Sequence, residues 1–272
     1  MCRIGFYPVL HFIGCPAMLF DTRLFVGIDP CGGRKPFIWA ALDKNGRLAA
    51  LQEGELEDAL AFLGGLPAAL VAVNAPPRPS QGLVRQQGIR QTLPPLRAAG
   101  RSLEMRLVEH LLRERGINVA LTPSRRELCS NWMQMGFELY RRIESLGFKS
   151  FPDPEASHVW LETQPHAIFC ALLEQSPLPR PTVEGRLQRQ LVLHEQGLNI
   201  RDPMDYFEEL TRHKLMKGAL PLEQVYTPEQ LDALAAACAA WLLSRHPERS
   251  LVLGDPGEGQ IILPVSELKA RY

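Results

Sequence analysis

The chain has 272 residues, 46% of them hydrophobic and 22% charged, enough to bury a sizeable core as one large domain or two small ones. Thirty Lys and Arg against thirty Asp and Glu leave no net charge, which excludes an overall basic field; any nucleic-acid contact must come from a local patch. No apolar run approaches the roughly 18–20 residues that a membrane span needs.

Residues 1–20 carry one early arginine and a mostly apolar middle, but Pro8, His11 and Pro16 interrupt the run and no small-residue cleavage site follows cleanly. Residues 1–22 therefore read as an N-terminal extension, with Met18 an alternative start, and 23–272 as a single domain with a helical insertion around 175–227. The six cysteines (Cys2, Cys15, Cys31, Cys129, Cys170, Cys238) are scattered without a CxxC spacing. That argues against a zinc site and a disulfide framework, and makes a reducing, cytoplasmic compartment the expectation.

Leu24–Asp29 reads as a buried strand, an apolar run closed by Pro30-Cys31-Gly32-Gly33. Phe37–Leu42 is a second strand, and Arg47–Gln52 a third after the hairpin signal Asn45-Gly46. Glu55–Leu63 has helical spacing, stopped by Gly64-Gly65, and Ala69–Val73 is another short strand. Beyond a proline-rich loop (Pro76, Pro77, Pro79) the pattern predicts a helix over Leu103–Arg115, a strand over Ile117–Leu121 and a helix over Met133–Leu146. A strand over Val159–Glu162 comes next, then a helix from near Pro165. Three more helices fall at Val183–Gln196, Met204–Lys214 and Pro228–Leu243. Two short strands, Leu251–Leu253 and Gln260–Leu263, close the chain. Three hairpin-connected strands followed by alternating strands and helices imply an α/β fold: a mixed sheet, antiparallel then parallel, flanked by helices.

Ligands gather at the carboxyl ends of strands in such sheets. Asp29 ends the first strand, Asn74 follows Ala69–Val73, and Glu162 ends Val159–Leu161. Asp232 opens an alanine-rich helical run and shares a face with Ala235, Ala236 and Ala239, which directs it inward. A buried carboxylate must be paired, hydrogen-bonded or bound to metal. Carboxylates converging from separate elements suit magnesium or manganese, and two such ions about 4 Å apart would stabilise a phosphoryl displacement. Each acid also has a plainer reading: Asp29 as a turn cap, Glu162 and Asp232 as helix N-terminal charges.

Four segments together resemble the family of predicted nucleases known as domain of unknown function 429, which has an RNase H-like fold. They are Val26-Gly27-Ile28-Asp29, Val71-Ala72-Val73-Asn74-Ala75-Pro76, Glu162-Thr163-Gln164-Pro165-His166 and Leu231-Asp232-Ala233-Leu234-Ala235-Ala236-Ala237. The connecting Arg106-Leu107-Val108-Glu109 and Gly185-Arg186-Leu187-Gln188-Arg189 fit as well, as does the closing strand pair up to Pro264. The resemblance implies a metal-dependent nuclease using Mg²⁺ or Mn²⁺, with Asp29, Glu162 and Asp232 as catalytic ligands and DNA or RNA as partner. Asn74 stands where the family usually has aspartate. An amide coordinates through oxygen but brings no charge, and a carboxylate about 4 Å from a unit charge is worth roughly 4 kcal/mol gross at an effective dielectric near 20. One ion instead of two, or a catalytically inactive binding protein on the same fold, is the alternative.

Arg186 and Arg189, near one helix start, are candidate phosphate contacts against the plainer reading of a solvated face. His166 is a candidate proton shuttle against that of a structural histidine. Trp39, Trp132, Trp160 and Trp241 read as core. An actin-like phosphotransferase would need a second glycine-rich phosphate loop, and the chain has none of that pattern. Oligomeric state and the choice of DNA or RNA have no signal in the sequence.

Overall fold

A computed structural model of the 272-residue chain describes residues 23–32, 35–94, 104–211 and 215–272. The N-terminal extension over 1–22 lies outside the described residues. The strands are β1 (Leu24–Asp29), β2 (Phe37–Leu42), β3 (Leu48–Gly54), β4 (Ala69–Val73), β5 (Lys149–Ser150), β6 (His158–Glu162), β7 (Leu251–Asp255) and β8 (Gly259–Leu263). Helices are α1 (Leu56–Gly64), α2 (Gln87–Arg90), α3 (Leu107–Glu114), α4 (Asn131–Ser145), α5 (Pro165–Leu173), α6 (Val183–Glu195), α7 (Met204–Glu209) and α8 (Pro228–Arg245).

One mixed sheet runs in the order β3-β2-β1-β4-β6-β8-β7, with β5 beside β6. β1, β2 and β3 are antiparallel, β1, β4 and β6 parallel. The arrangement is an α/β fold and is consistent with an RNase H-like sheet. The β2–β3 hairpin closes on Asp43, whose carboxylate accepts from Asn45 N at 2.7 Å and Arg47 N at 2.9 Å, while Gly46 supplies the left-handed φ of 73°.

Alternation along the strands sorts the core into two layers. Phe25, Leu70, Ala72, Val159 and Leu161 face α8, α5 and α3. Val26, Ile28, Val71, Val73 and Trp160 face α1 and α4. α8 is buried around its whole circumference, between the sheet on one side and α5 and α6 on the other. Its alanines let it approach β1 so closely that a Cβ on Gly27 would stand 2.0 Å from the Ala233 carbonyl and 2.2 Å from Ala237 N. Only glycine fits there.

The expected strand over Ile117–Leu121 is not one. Its backbone bonds go to α3 instead of a neighbouring strand: Ile117 N donates to Leu112 O at 3.1 Å, the Arg113 guanidinium donates to Val119 O at 3.0 and 2.6 Å, and just beyond the segment Thr122 N donates to the Glu109 carboxylate at 2.9 Å. α3 begins four residues later than its pattern, at Leu107, where Leu107 N donates to the buried Glu258 carboxylate at 2.7 Å. α7 ends at Glu209, short of the expected Lys214; 212–214 lie outside the described residues.

Candidate functional site

β1 and α8 lie side by side in opposite directions, so the carboxyl end of the strand meets the amino end of the helix. Asp29 is two residues beyond Gly27, on the face that packs against α8, and Asp232 is one residue before Ala233. Both carboxylates are buried. Burial pushes Asp29 up to about 6, opposed by Cys31 N, which donates to Oδ1 at 3.1 Å, by the charge of Arg180, and by a hydrogen bond from Asn74. Burial and then the nearby Asp29 charge push Asp232 up to about 7, opposed by Arg180. The local chain explains the turn: Cys31 (φ 51°) and Gly32 (φ 78°) are both left-handed, which folds Cys31 N back onto the strand end. A Cβ at Gly32 would also stand 2.4 Å from Trp132 Cβ at the start of α4.

Asn74 N donates to Ile28 O at 2.8 Å, which fixes Asn74 level with Asp29 on the neighbouring strand. Three of the four expected ligands, Asp29, Asn74 and Asp232, therefore meet at one end of the sheet.

Glu162 stands at the same end of the sheet but on its other face. In the parallel register Ile28, Val73 and Glu162 stand level, so Glu162 shares their face of the sheet, opposite to that of Asp29. There Arg106 Nη1 and Nη2 donate to its two oxygens at 2.8 and 2.6 Å, and Arg106 Nε donates to Glu109 at 2.8 Å. All three side chains are about 3% exposed. Burial raises Glu162, with Arg106 holding it back. Burial likewise works against the Arg106 charge, but the two glutamates outweigh it and hold the guanidinium firmly protonated. This triad lines a shallow open cleft at the ends of β4 and β6 together with Asn74, Pro76, Thr122, Trp132 and Gln164.

The two arginines expected at phosphate are structural. Arg186 donates from Nε to Tyr226 O at 2.7 Å and from Nη2 to Val225 O at 2.8 Å. Arg189 is buried; its Nη1 donates to Leu178 O and Gly185 O at 2.9 and 2.7 Å, and it lies over the Phe169 ring. Burial lowers both, opposed by the charge of Glu229 at Arg186 and of Asp232 at Arg189. Arg189 is sealed from solvent, whereas Arg186 is half-buried with Nε and Nη2 held by backbone carbonyls. His166 is half-buried on α5 beside Cys170 Sγ at 3.8 Å; burial and then the Arg189 charge lower it. Cys31, Cys129, Cys170 and Cys238 are all free thiols.

The group Asp29, Asn74 and Asp232 offers two carboxylates and one amide oxygen, hard donors on rigid elements. That chemistry suits one magnesium or manganese ion completed by water and phosphate oxygens, and falls short of two. Among the described residues no cluster of three or more His, Cys, Asp or Glu is placed to hold a metal. Arg106, Glu109 and Arg180 were not singled out as charges of the site by the sequence pattern. The Arg106–Glu109 spacing marks the start of α3, where Glu109 Oε2 accepts from Arg106 N at 3.1 Å, but Arg180 sits in a loop with no periodic signal.

The family model described as "Protein of unknown function (DUF429)" matches residues 27–258, from the glycine on which α8 rests to the glutamate that caps α3. The chain belongs to that family. No curated protein and no solved structure matches it. Among the described residues no helix is long and apolar enough to cross a membrane.

Proposed function

We propose that this protein is a phosphodiesterase dependent on one divalent cation and acting on nucleic acid. The observation that carries the reading is the meeting of Asp29 and Asp232, two buried carboxylates forced together at the carboxyl end of β1. Asp29, Asp232 and the Asn74 amide would hold the ion. A bound Mg²⁺ or Mn²⁺ would supply Lewis-acid polarisation of a phosphoryl oxygen and a more acidic water. The chain supplies rigidity: Asp29 is fixed by Cys31 N and Asn74, and Asp232 by a helix that cannot slide against Gly27. Glu162 serves in this reading as the anchor of Arg106 and not as a ligand. His166 lies on α5 beside Cys170, where burial and the Arg189 charge lower its pKa.

The pair shares protons near neutrality, so a cation that binds there must expel them. The test is calorimetric titration of Mn²⁺ at pH 6.5 in two buffers of different ionisation enthalpy, beside Asp29→Asn, with cleavage assayed on single- and double-stranded DNA and RNA. Proton release on binding, and loss of both binding and Mn²⁺-dependent cleavage in the variant, are expected. Absence of Mn²⁺ binding to the wild type, or cleavage unchanged in Asp29→Asn, overturns the assignment.

A second reading, a catalytically inactive nucleic-acid- or protein-binding member of the fold, is favoured by Asn74 together with the engagement of both Glu162 oxygens by Arg106. Asn74→Asp discriminates: cleavage that appears only in that variant makes the natural site a degenerate one.

A further inference from the structure

Two arginines neutralise carboxylates at this end of the sheet, in opposite ways. Arg106 is sealed, with each terminal nitrogen on a different oxygen of Glu162 and Nε on Glu109. Arg180 is open. It extends from the loop between α5 and α6, its side chain 44% exposed, while Asp232 below it is 12% exposed. Nε and Nη2 both donate to one oxygen, Asp232 Oδ2, at 2.9 and 2.6 Å, so Oδ1 is not engaged by Arg180. Nη1 lies 3.6 Å from Glu229, whose carboxylate also takes Lys35 at 2.7 Å, and the Arg180 charge reaches Asp29.

A pair of carboxylates in a dry site is stabilised by positive charge close by; here Arg180 provides it in direct contact, with the charge of Arg189 behind it. A guanidinium held on one oxygen and half in water is the easier of the two to remove, because its hydration is largely kept. Pro179 and Pro181 flank it and restrict the backbone, so displacement belongs to the long side chain.

Resting on the reading that Asp29 and Asp232 hold a cation, we propose that Arg180 is a built-in, removable counterion that competes with that cation for Asp232. Metal loading moves its guanidinium off Oδ2 into solvent, at the mouth of the site.

The test is Mn²⁺ calorimetry at pH 8 on wild type and Arg180→Gln, joined to ¹⁵N NMR of arginine Nε–H groups in the wild type during a Mg²⁺ titration. Competition predicts Mn²⁺ binding tighter by roughly two- to fivefold in Arg180→Gln, the range of a half-exposed ion pair. It also predicts that the Arg180 Nε–H signal gains solvent exchange on Mg²⁺ addition while that of Arg106 does not. Should Arg180→Gln fail to fold, the NMR titration carries the test alone. Wild-type binding with affinity unchanged or weaker in the variant, or an Arg180 signal unmoved at saturating Mg²⁺, overturns the competition and leaves the metal site standing. No binding to either protein overturns both.

Discussion

Gly27 and Ala233 are in backbone contact across the sheet–helix boundary: any side chain at 27 would meet the Ala233 carbonyl at 2.0 Å. The obstacle is main chain, so relief requires moving α8, and Asp232 moves with it. Gly27→Ala is expected to cost about 3 kcal/mol or more, at the upper end for overpacking. Urea unfolding checks this, and the surviving folded fraction should bind Mn²⁺ more weakly than wild type.

Glu162 and Asp29 respond oppositely to loss of charge. Removing the Glu162 carboxylate strands the buried Arg106, and breaking such a pair costs about 3–5 kcal/mol. Removing Asp29 relieves a crowded acid pair. Glu162→Ala is therefore expected to lower stability by several kcal/mol by urea unfolding, whereas metal-free Asp29→Asn gains stability at pH 8. Were Glu162 a ligand in a repulsive acidic site, its removal would stabilise the metal-free protein.

β1, β2 and β4 match their sequence patterns end to end because each is an apolar run closed by turn residues. The inward turn of Asp232 was equally legible, since alanines at helical spacing leave one face for the sheet. Ile117–Leu121 misleads because an extended apolar segment looks alike whether its backbone partners lie in a neighbouring strand or on a helix, here α3. The position of Glu162 was hidden for a different reason. A one-residue offset in register decides which face a strand-end side chain takes, and register is fixed by partners far away in sequence. Arg186 and Arg189 sit at helical spacing that reads as surface, yet the chain after α7 returns to Arg186 at Val225 and Tyr226, and the loop before α6 caps Arg189 at Leu178.

The acid pair sets a pH signature. In the unfolded chain Asp29 and Asp232 titrate near 3.8; in the fold they titrate at about 6 and about 7. Between those values the folded state holds more protons than the unfolded one, so stability falls as pH rises from about 4 to about 7 and levels off above. The metal-free protein is expected to lose on the order of 1–3 kcal/mol across that window, allowing for the coupling of the pair and the Arg180 charge. Asp29→Asn should flatten the slope, and saturating Mn²⁺ should raise the high-pH limb, since ligand binding to the folded state alone stabilises it. Denaturant midpoints taken at half-unit pH steps measure all three.

Arg189 separates a structural role from a phosphate contact. Its guanidinium satisfies two carbonyls, one in α6 and one in the loop before it, and its Cζ lies 5.3 Å from the Phe169 centroid. Arg189→Gln leaves those carbonyls short of donors in a buried place, a loss of about 2–4 kcal/mol. Any nucleic acid the protein binds gains nothing from a side chain that does not reach solvent, so the slope of log affinity against log salt should stay at the wild-type value. Loss of a phosphate contact would instead reduce that slope by about one. Fluorescence titration of a labelled oligonucleotide at four salt concentrations, on variant protein kept well below its melting temperature, distinguishes the two. An altered slope at unchanged stability would place Arg189 at the phosphate after all.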